Sequence, residues 1–524
     1  MRCPHAALVL LGLALRGASL LAQIPLVPAF VVNQQTRDDQ RRPAICEDGA
    51  GHFVVAWQGA QDRDPAAGVV DNLYVRLFDA KAGPRTSELR VTGADGGASP
   101  RICCFADGSF VLAWLDPLTQ QVLARRFSAG GAHSGAEIAV TDPGAAGPRR
   151  PPDLACTPDH SFDVVWGERA TPASPAVDAV MRLRLNARNN PLGVASRVNL
   201  SPTSPDPQPR IAMDATGRAV VSWIGAGGGD LEGRLYAGDG TAASGELTLK
   251  PARVDEQIGE PAVAMTAAPE PAKSGGFSAA WYENGSFGRT DFQVFARSFA
   301  PDGTPLAAPF AVAPGELQQI SPAISADDAG GFVVAWGSTG SDQKGALARA
   351  FTGDGTPAGP ALLLDPAAVA SGGRLGIGLT PVRGGRWVGV WDVFAGGVRG
   401  FDVAGLRVVP VCTSGGGTLC LGDRFAVRAV WRTPLGVAGT AQAMPLQPDA
   451  GYFWFFASAN VEVIVKRIDG CAVGGHFWIF AGGLTDLAVD WTVVDTWTGA
   501  LRAYSSPAGT PFQPIEDTNA FPCP

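Results

Sequence analysis

The stretch that decides the fold is Gly331-Phe332-Val333-Val334-Ala335-Trp336, an apolar run that ends on a tryptophan. The same pattern returns six times elsewhere, ending at Trp57, Trp114, Trp166, Trp223, Trp281 and Trp391. Successive tryptophans lie 57, 52, 57, 58, 55 and 55 residues apart. A period this regular is typical of an internal repeat, and it is too long for a solenoid of helix pairs.

Each repeat divides into four short strands. In the sixth repeat the pattern predicts strands at 322–324, 332–336, 346–351 and 361–364, with an Asp354-Gly355 turn before the last. Asp-Gly pairs suit such turns because glycine accepts a positive φ and aspartate bonds the backbone ahead of it. Seven units of four antiparallel strands predict an all-β protein whose residues 23–408 form a seven-bladed β-propeller.

The two ends of the repeat region are complementary. Residues 28–33 match the fourth strand of the fifth repeat, Phe310 to Ala313, whereas the seventh repeat has its third strand at 397–401 and then leaves the pattern. We expect residues 28–33 to complete the last blade, because closure removes an exposed sheet edge.

Residues 409–524 lack the repeat and form a second predicted domain. Seven strand candidates predict an immunoglobulin-like β-sandwich there; they lie at 425–431, 441–446, 452–457, 461–468, 476–480, 487–494 and 501–505. The run Tyr452-Phe453-Trp454-Phe455-Phe456 is strongly aromatic. A strand buried on both faces is the favoured interpretation, and an exposed carbohydrate or partner face is the alternative.

The composition and the first residues limit where the protein can be located and what kind of partner it can bind. The chain has 524 residues, 17% of them charged, with a net charge of -8 and no basic stripe, which argues against a nucleic-acid partner. Residues 1–22 have the charged start and short apolar core of a signal peptide, and no stretch is long enough to span a membrane. We expect a secreted, periplasmic or cell-surface protein.

Eight cysteines follow the predicted signal, and an even count in an exported chain favours disulfides. We predict the pairs Cys412 with Cys420 and Cys471 with Cys523. The other four, Cys46, Cys103, Cys104 and Cys156, lie 11 or 10 residues before their tryptophans. Cysteines at matched positions could pair if their Cα atoms approach within about 7 Å, and buried free thiols are the alternative.

The repeat resembles one found in large exported bacterial proteins. The matching phrases are Phe30-Val31-Val32-Asn33, then Asp48-Gly49 with Phe53 to Trp57, then Tyr74-Val75-Arg76-Leu77-Phe78-Asp79, and the likeness covers about 28–405. It implies a propeller-like extracellular array, often beside calcium-binding modules, and no particular chemistry. The C-terminal part is similar to a module that recurs on secreted bacterial proteins, and the residues that carry this likeness include Cys412, Leu419-Cys420-Leu421, Arg424-Phe425, Phe477-Trp478 and Asp517 to Phe521.

Positions shared by all repeats indicate structure, and positions that differ are candidates for function. The seven tryptophans could stack on sugars, but packing between sheets is favoured for a residue present in every blade. The same interpretation covers the arginines of the third strands, namely Arg76, Arg125, Arg234, Arg297, Arg349 and Arg399. We expect both sets to be structural.

The loops after each tryptophan carry the candidate ligand residues. These are Asp116, Glu168, Glu283 and Asp392, with Asp62, Asp64, Asp291 and Asp342 further along. They could bind a cation or sugar hydroxyls, or two could act as an acid and base pair; solvated loop residues are the plain alternative. The five histidines form no local ligand cluster.

These patterns predict an extracellular binding or interaction protein with a glycan or protein ligand on the propeller rim. The alternative function is a polysaccharide-directed hydrolase or lyase that uses rim carboxylates. A calcium-stiffened structural element is a third possibility. No catalytic residue is predicted. No cofactor is predicted either, apart from calcium in the third possibility. The sequence does not indicate an oligomeric state.

Overall fold

The structure is a computed structural model. It describes residues 23–25, 29–60, 71–93, 96–142, 149–168, 178–253, 256–266, 275–284, 292–315, 318–327, 330–340, 344–366, 368, 375–397 and 400–523. Five residues singled out from the sequence lie outside these ranges, as does the predicted signal at 1–22: Asp62, Asp64, Asp291, Asp342 and Arg399.

The protein is all-β, as the sequence predicts, and its strands form nine antiparallel sheets. Seven sheets belong to the repeat region. In chain order their strands are β1 Gln23–Pro25, β2 Phe30–Val31, β3 Gln40–Glu47, β4 Phe53–Gly59, β5 Asn72–Phe78, β6 Leu89–Arg90, β7 Ala98–Cys104, β8 Phe110–Leu115, β9 Val122–Phe127, β10 Ile138–Ala139, β11 Asp153–Cys156, β12 Phe162–Glu168, β13 Ala179–Leu185, β14 Ser196–Arg197, β15 Arg210–Met213, β16 Ala219–Ile224, β17 Leu231–Tyr236, β18 Leu247–Lys250, β19 Gln257–Met265, β20 Phe277–Asn284, β21 Phe292–Phe299, β22 Phe310–Ala311, β23 Gln319–Ala326, β24 Phe332–Ser338, β25 Gly345–Phe351, β26 Leu362–Asp365, β27 Ile377–Leu379, β28 Trp387–Phe394 and β29 Phe401–Pro410.

The seven sheets follow one another around a ring. Six of them hold four consecutive strands each, beginning with β3-β4-β5-β6 and ending with β23-β24-β25-β26. The first strand of every sheet contacts the first strand of the next, from β3 against β7 through β23 against β27, and β27 contacts β3. The first strands therefore lie innermost and the ring is closed.

The N-terminal segment supplies the outer strand of the seventh sheet. Phe30 pairs with Gly405 in β29, and Gln23 pairs with Pro410 further along the same strand. The prediction that residues 28–33 lie at this edge is confirmed at Phe30–Val31, and Pro28 lies outside the described residues. The predicted third strand at 397–401 is wrong, because Gly397 and Gly400 adopt positive φ values of 57° and 64° in the turn, and β29 begins at Phe401.

The repeated tryptophans are buried between sheets, each exposing 1% of its surface or less. Trp114 of the second sheet packs with Val54 and Leu73 of the first, and Trp57 of the first sheet packs with Val388 of the seventh. The other five also pack against the sheet that precedes their own. Each tryptophan thus fills the junction between two neighbouring sheets.

The third-strand arginines hold the same junctions by hydrogen bonds. Each donates from Nη1 to a carbonyl oxygen at the outer strand of the preceding sheet, at 2.7–3.2 Å. The pairs are Arg76 with Val32, Arg125 with Val91, Arg234 with Val198, Arg297 with Leu249, and Arg349 with Val312. These side chains satisfy backbone acceptors that the outer strands leave unused.

Two disulfides join the first three sheets. Cys46 bonds to Cys104 and Cys103 bonds to Cys156, with Cα atoms 5.4 and 5.7 Å apart. The pairs combine unmatched repeat positions, unlike the matched pairs considered from the sequence. The reason is strand geometry: adjacent residues project to opposite faces, so Cys104 faces the first sheet and Cys103 faces the third.

The C-terminal region holds ten strands in two five-stranded sheets, three more than predicted. In chain order these strands are β30 Thr418–Leu421, β31 Phe425–Arg432, β32 Ala438–Thr440, β33 Gln442–Gln447, β34 Ala450–Trp454, β35 Val463–Gly470, β36 His476–Gly483, β37 Ala488–Asp495, β38 Leu501–Ser506 and β39 Ile515–Pro522. A short helix, α1 Cys471–Gly474, follows β35.

The two C-terminal sheets pack face to face around one core, to which Phe425 and Trp491 of one sheet and Phe453 and Ile479 of the other contribute. One sheet has the order β30-β31-β37-β38 with β32 beside β31, and the other has the order β33-β34-β35-β36-β39. Disulfides Cys412–Cys420 and Cys471–Cys523 lie in this region.

The aromatic run of β34 alternates, so the interpretation that both of its faces are buried is wrong. Phe453 and Phe455 are buried, Tyr452 and Trp454 are half-buried, and Phe456 is 61% exposed. β34 belongs to one of two sheets that pack face to face, so only one of its faces meets the opposite sheet.

In the part of the chain that the structure describes, no helix is long and apolar enough to cross a bilayer.

The packing role of the tryptophans can be measured at Trp336, whose Nε1 has no hydrogen-bond partner among the described residues. Trp336→Ala should lower the free energy of unfolding by about 3–5 kcal/mol, because it leaves a large cavity between two sheets. Trp336→Phe should cost much less, since a ring remains and no hydrogen bond is lost. Urea denaturation of both variants checks this, and equal losses would contradict it.

Candidate functional site

Two of the four predicted rim carboxylates hold backbone turns together. Asp116 is buried, and its Oδ1 accepts hydrogen bonds from the amides of Leu118 and Thr119 at 2.8 and 3.1 Å. Asp392 is also buried and accepts from the amides of Arg42 at 3.0 Å and Gly376 at 2.9 Å. Burial raises the pKa of Asp392 to about 7 despite these amides.

Glu168 and Glu283 accept hydrogen bonds from tryptophans of their own strands. Trp166 Nε1 donates to Glu168 Oε1 at 3.0 Å, and Arg149 lies 3.6 Å from the same oxygen. Trp281 Nε1 donates to Glu283 Oε1 at 2.7 Å. Both carboxylates thereby satisfy an indole N–H that packing has removed from water.

Glu283 also belongs to a buried group with Glu256 and Lys250. Lys250 forms an ion pair with Glu256, and its Nζ lies 3.8 Å from Glu283 Oε1. Burial, and next the neighbouring carboxyl group of Glu256, raise the pKa of Glu283 to about 7.

No hydrogen bond or ion pair joins any two of Asp116, Glu168, Glu283 and Asp392, which lie in four different sheets. Each carboxylate instead accepts hydrogen bonds from nearby backbone amides or from a tryptophan of its own strand. The candidate site must therefore be sought among other charged residues.

A group of charged side chains occupies the innermost strands of four neighbouring sheets. It consists of Arg101 on β7, Asp153 on β11, Arg210 on β15 and Glu260 on β19, and all four are partly buried. We call it the axial cluster. Because innermost strands surround the centre of the ring, these residues from distant parts of the chain meet there.

The backbone beside the axial cluster is strained in a repeated way. Left-handed φ values between +44° and +56° occur at five non-glycine residues, each directly before a proline: Arg42, Ser99, Gln208, Glu260 and Ser321. Register shifts accompany them in β3, β7, β19 and β23. Non-glycine residues rarely adopt this conformation. Because it recurs at the same position in five sheets, it belongs to the shared architecture of the innermost strands.

Ion pairs and hydrogen bonds connect the axial cluster. Arg101 Nε lies 3.6 Å from Asp153 Oδ1, and the amide of Ile211, next to Arg210, donates to Asp153 Oδ2 at 3.0 Å. The amide of Glu260 donates to Gln208 Oε1 at 2.8 Å. The carboxylate of Asp153 on β11 is thus held by groups from β7 and β15, the innermost strands on either side of its own.

Arg210 is the most perturbed member. Burial lowers the pKa of its guanidinium to about 10, and the charge of Arg101 acts in the same direction. The carboxylates of Asp153 and Glu260 oppose this shift without cancelling it. A partly desolvated guanidinium with two carboxylates nearby offers donors and acceptors at one place.

Further charges extend the axial cluster. Arg150 Nε lies 3.4 Å from Asp206 Oδ1, and Arg42 Nη1 donates to Ser99 Oγ at 2.7 Å. With these residues, and with Asp392, which accepts from the amide of Arg42, four arginines and four carboxylates lie on or beside the innermost strands.

The axial cluster was missed from the sequence, although a signal for it exists. The residue that follows the strand-opening proline is alanine at Ala44, Ala262 and Ala323, but it is charged at Arg101 and Arg210. Comparing the repeats at this position, and not only in the loops, would have identified these residues.

One group of three metal-ligating side chains occurs among the described residues, namely Asp469, Cys471 and Cys523. Its two cysteines are bonded to each other, so their sulfur atoms are not available as thiolate ligands.

The raised pKa of Glu283 predicts a pH dependence of stability. Because the folded pKa of about 7 exceeds the ordinary value of 4.5, the unfolded chain loses this proton first, and stability falls as pH rises between about 4.5 and 7. Glu283→Gln can still accept from Trp281 and cannot ionise. Relative to the native chain, its melting temperature should therefore rise from pH 5 to pH 8. A constant difference across this range would contradict the assignment.

No family model and no curated protein sequence matches the chain. Among solved structures, a protein of unknown function from Dyadobacter fermentans DSM 18053 is similar, with 12% identity, a TM-score of 0.45, and coverage of 74% of this chain and 98% of the other. The α-L-arabinofuranosidase Arb93A from Fusarium graminearum has 9% identity, a TM-score of 0.39, and coverage of 62% and 98%. An oligogalacturonate lyase in complex with manganese has 12% identity, a TM-score of 0.39, and coverage of 74% of this chain and 97% of the other. Because the similarity is this low in both sequence and structure, the activities of those proteins do not transfer to this chain.

Proposed function

We propose that the chain is an exported binding protein whose ring of seven sheets is a seven-bladed β-propeller, with its ligand at the axial cluster. The observation that carries the proposal is the meeting of Arg101, Asp153, Arg210 and Glu260 on innermost strands. Charged groups that are partly desolvated are costly to a fold that needs only packing. A role in binding accounts for that cost.

The chemistry of the axial cluster favours an acidic glycan as the ligand. Guanidinium groups such as those of Arg101 and Arg210 bind carboxylates through paired hydrogen bonds. Carboxylates such as those of Asp153 and Glu260 accept hydrogen bonds from sugar hydroxyls. A uronic-acid oligosaccharide presents both kinds of group.

The exported location is part of the same proposal. Four disulfides stabilise the chain, and disulfides persist mainly in oxidising compartments outside the cytoplasm. Two further predictions fit this location, namely the signal peptide at 1–22 and the likeness to exported bacterial repeat proteins. The proposal also includes the domain boundary near residue 408 and the immunoglobulin-like class of the C-terminal sandwich.

A second candidate function is hydrolysis or lyase cleavage of the same polysaccharide class. The observation that favours it is the placement of two carboxylates, Asp153 and Glu260, around one guanidinium whose pKa is lowered to about 10. One carboxyl group could act as acid and the other as base, while Arg210 neutralises a substrate carboxylate.

Binding is tested with trigalacturonic acid and with maltotriose as the neutral control, by isothermal titration calorimetry. We expect the acidic trisaccharide to bind and Arg210→Met to weaken binding by at least about tenfold, because a charge-assisted hydrogen bond is lost. The exposed Arg188 supplies the matched control, and Arg188→Met should bind normally. Failure of both sugars to bind, or equal losses in the two variants, would overturn the proposed ligand.

The same samples separate binding from catalysis. An excess of trigalacturonic acid is incubated with the protein, and new reducing ends or unsaturated products are measured. A binding protein releases no product. Turnover that disappears in Asp153→Asn, with ligand binding retained, would replace the binding function with the second candidate.

A further inference from the structure

A groove of about 580 Å³ opens at one end of the C-terminal sandwich, far in sequence from the axial cluster. Three connections form it: the one between β34 and β35, the one between β36 and β37, and the one between β38 and β39. The volume lies within the range of small-molecule sites. No part of the proposed axial function depends on this groove.

Glu462 at the groove is buried to 94% and has one carboxylate oxygen without a partner. Asn460 Nδ2 donates to Oε1 at 2.5 Å, and Oε2 accepts no hydrogen bond from any described residue. The backbone of Glu462 is fixed on both sides, by Phe453 O at 3.0 Å and by the amide of Leu484 at 2.8 Å. Glu462 is therefore held rigidly at the groove, with one acceptor oxygen available to a hydrogen-bond donor of a ligand.

Aromatic rings form the apolar wall of the groove. Phe456 is 61% exposed and leans on Trp431, with ring centroids 4.7 Å apart. Phe512 packs on Gly483 so closely that a Cβ there would lie 2.5 Å from the ring. The wall therefore combines one exposed ring with one that is fixed in the core.

The groove is negatively charged. Its lining includes the carboxylates of Glu462 and Asp486 and contains no lysine or arginine. Neither carboxylate forms an ion pair among the described residues, and the side chain of Asp486 is exposed at the groove. Two uncompensated negative charges beside an aromatic face favour a cationic ligand over a neutral or anionic one.

We propose that this groove binds a primary alkylammonium group. The ammonium donates to the open oxygen of Glu462 and is attracted by Asp486, while its hydrocarbon chain lies along Phe456. The lysine side chain of a partner protein and a free diamine share this chemistry. A saccharide hydroxyl would satisfy the hydrogen bond of Glu462 and would leave the second charge uncompensated.

The test uses the full chain with three probes: pentane-1,5-diamine, the methylamide of Nα-acetyl-lysine, and pentane-1,5-diol as the neutral molecule of the same length. Binding is followed by NMR titration at low ionic strength. We expect both amines to bind and the diol to bind at least about tenfold more weakly, because the charge-assisted hydrogen bond is absent. Added salt should weaken the amines and leave the diol unaffected.

Two variants locate the site. Glu462→Gln should weaken the diamine by at least about tenfold, whereas Glu516→Gln, the same change at an exposed position on β39, should have no effect. If Glu462→Gln fails to fold, Asp486→Asn replaces it, since Asp486 is exposed. Phe456→Ala should weaken the amines by a smaller factor, because only the contact with the hydrocarbon chain is lost.

The outcomes distinguish the sources of the ligand. Tighter binding of the diamine supports a free amine, and tighter binding of the lysine derivative supports a partner protein. Equal affinity for diol and diamine, no binding of either amine, or no effect of the Glu462 or Asp486 variants would overturn the proposal. These results are independent of trigalacturonic acid binding at the axial cluster.

Discussion

The packing of one tryptophan against the preceding sheet is the interaction on which the rest of the structure depends. Each sheet of the repeat region has two apolar faces, so each must be covered on both sides. A row of sheets would leave the first and last faces exposed to water. The contact of β27 with β3, together with Trp57 against Val388, covers these last two faces.

Other interactions reinforce junctions that the tryptophans establish. The third-strand arginines donate to the carbonyl oxygens of the preceding sheet, as Arg76 does to Val32. The disulfides of Cys103 and Cys104 connect three consecutive sheets through two adjacent residues. Both devices work because alternate residues of a strand face opposite neighbours. The ring is therefore held by side chains that cross between sheets, while backbone hydrogen bonds hold each sheet.

The closed ring also decides where charge can be functional. Carboxylates that follow the tryptophans, such as Glu283, enter the sheet junctions and bond to indole or backbone N–H groups. Charges on innermost strands meet groups of the neighbouring innermost strands, as Arg101 on β7 meets Asp153 on β11. The strained residues before each strand-opening proline shape this inner surface. Recurrence in the sequence therefore marks the packing, whereas unlike residues on the innermost strands mark the candidate site.

The sequence by itself determined the all-β class, the sheet repeat and the N-terminal strand at the seventh sheet. Apolar runs that end in tryptophan at a fixed period depend only on local spacing, which a sequence shows directly. Tertiary structure alone decided the pairing of Cys103 with Cys156, the alternation along the aromatic run of β34 and the axial cluster. Those features depend on which strand face meets which neighbour. Residues more than fifty positions apart become adjacent only when the ring closes, so a single sequence without contacts does not contain their distances.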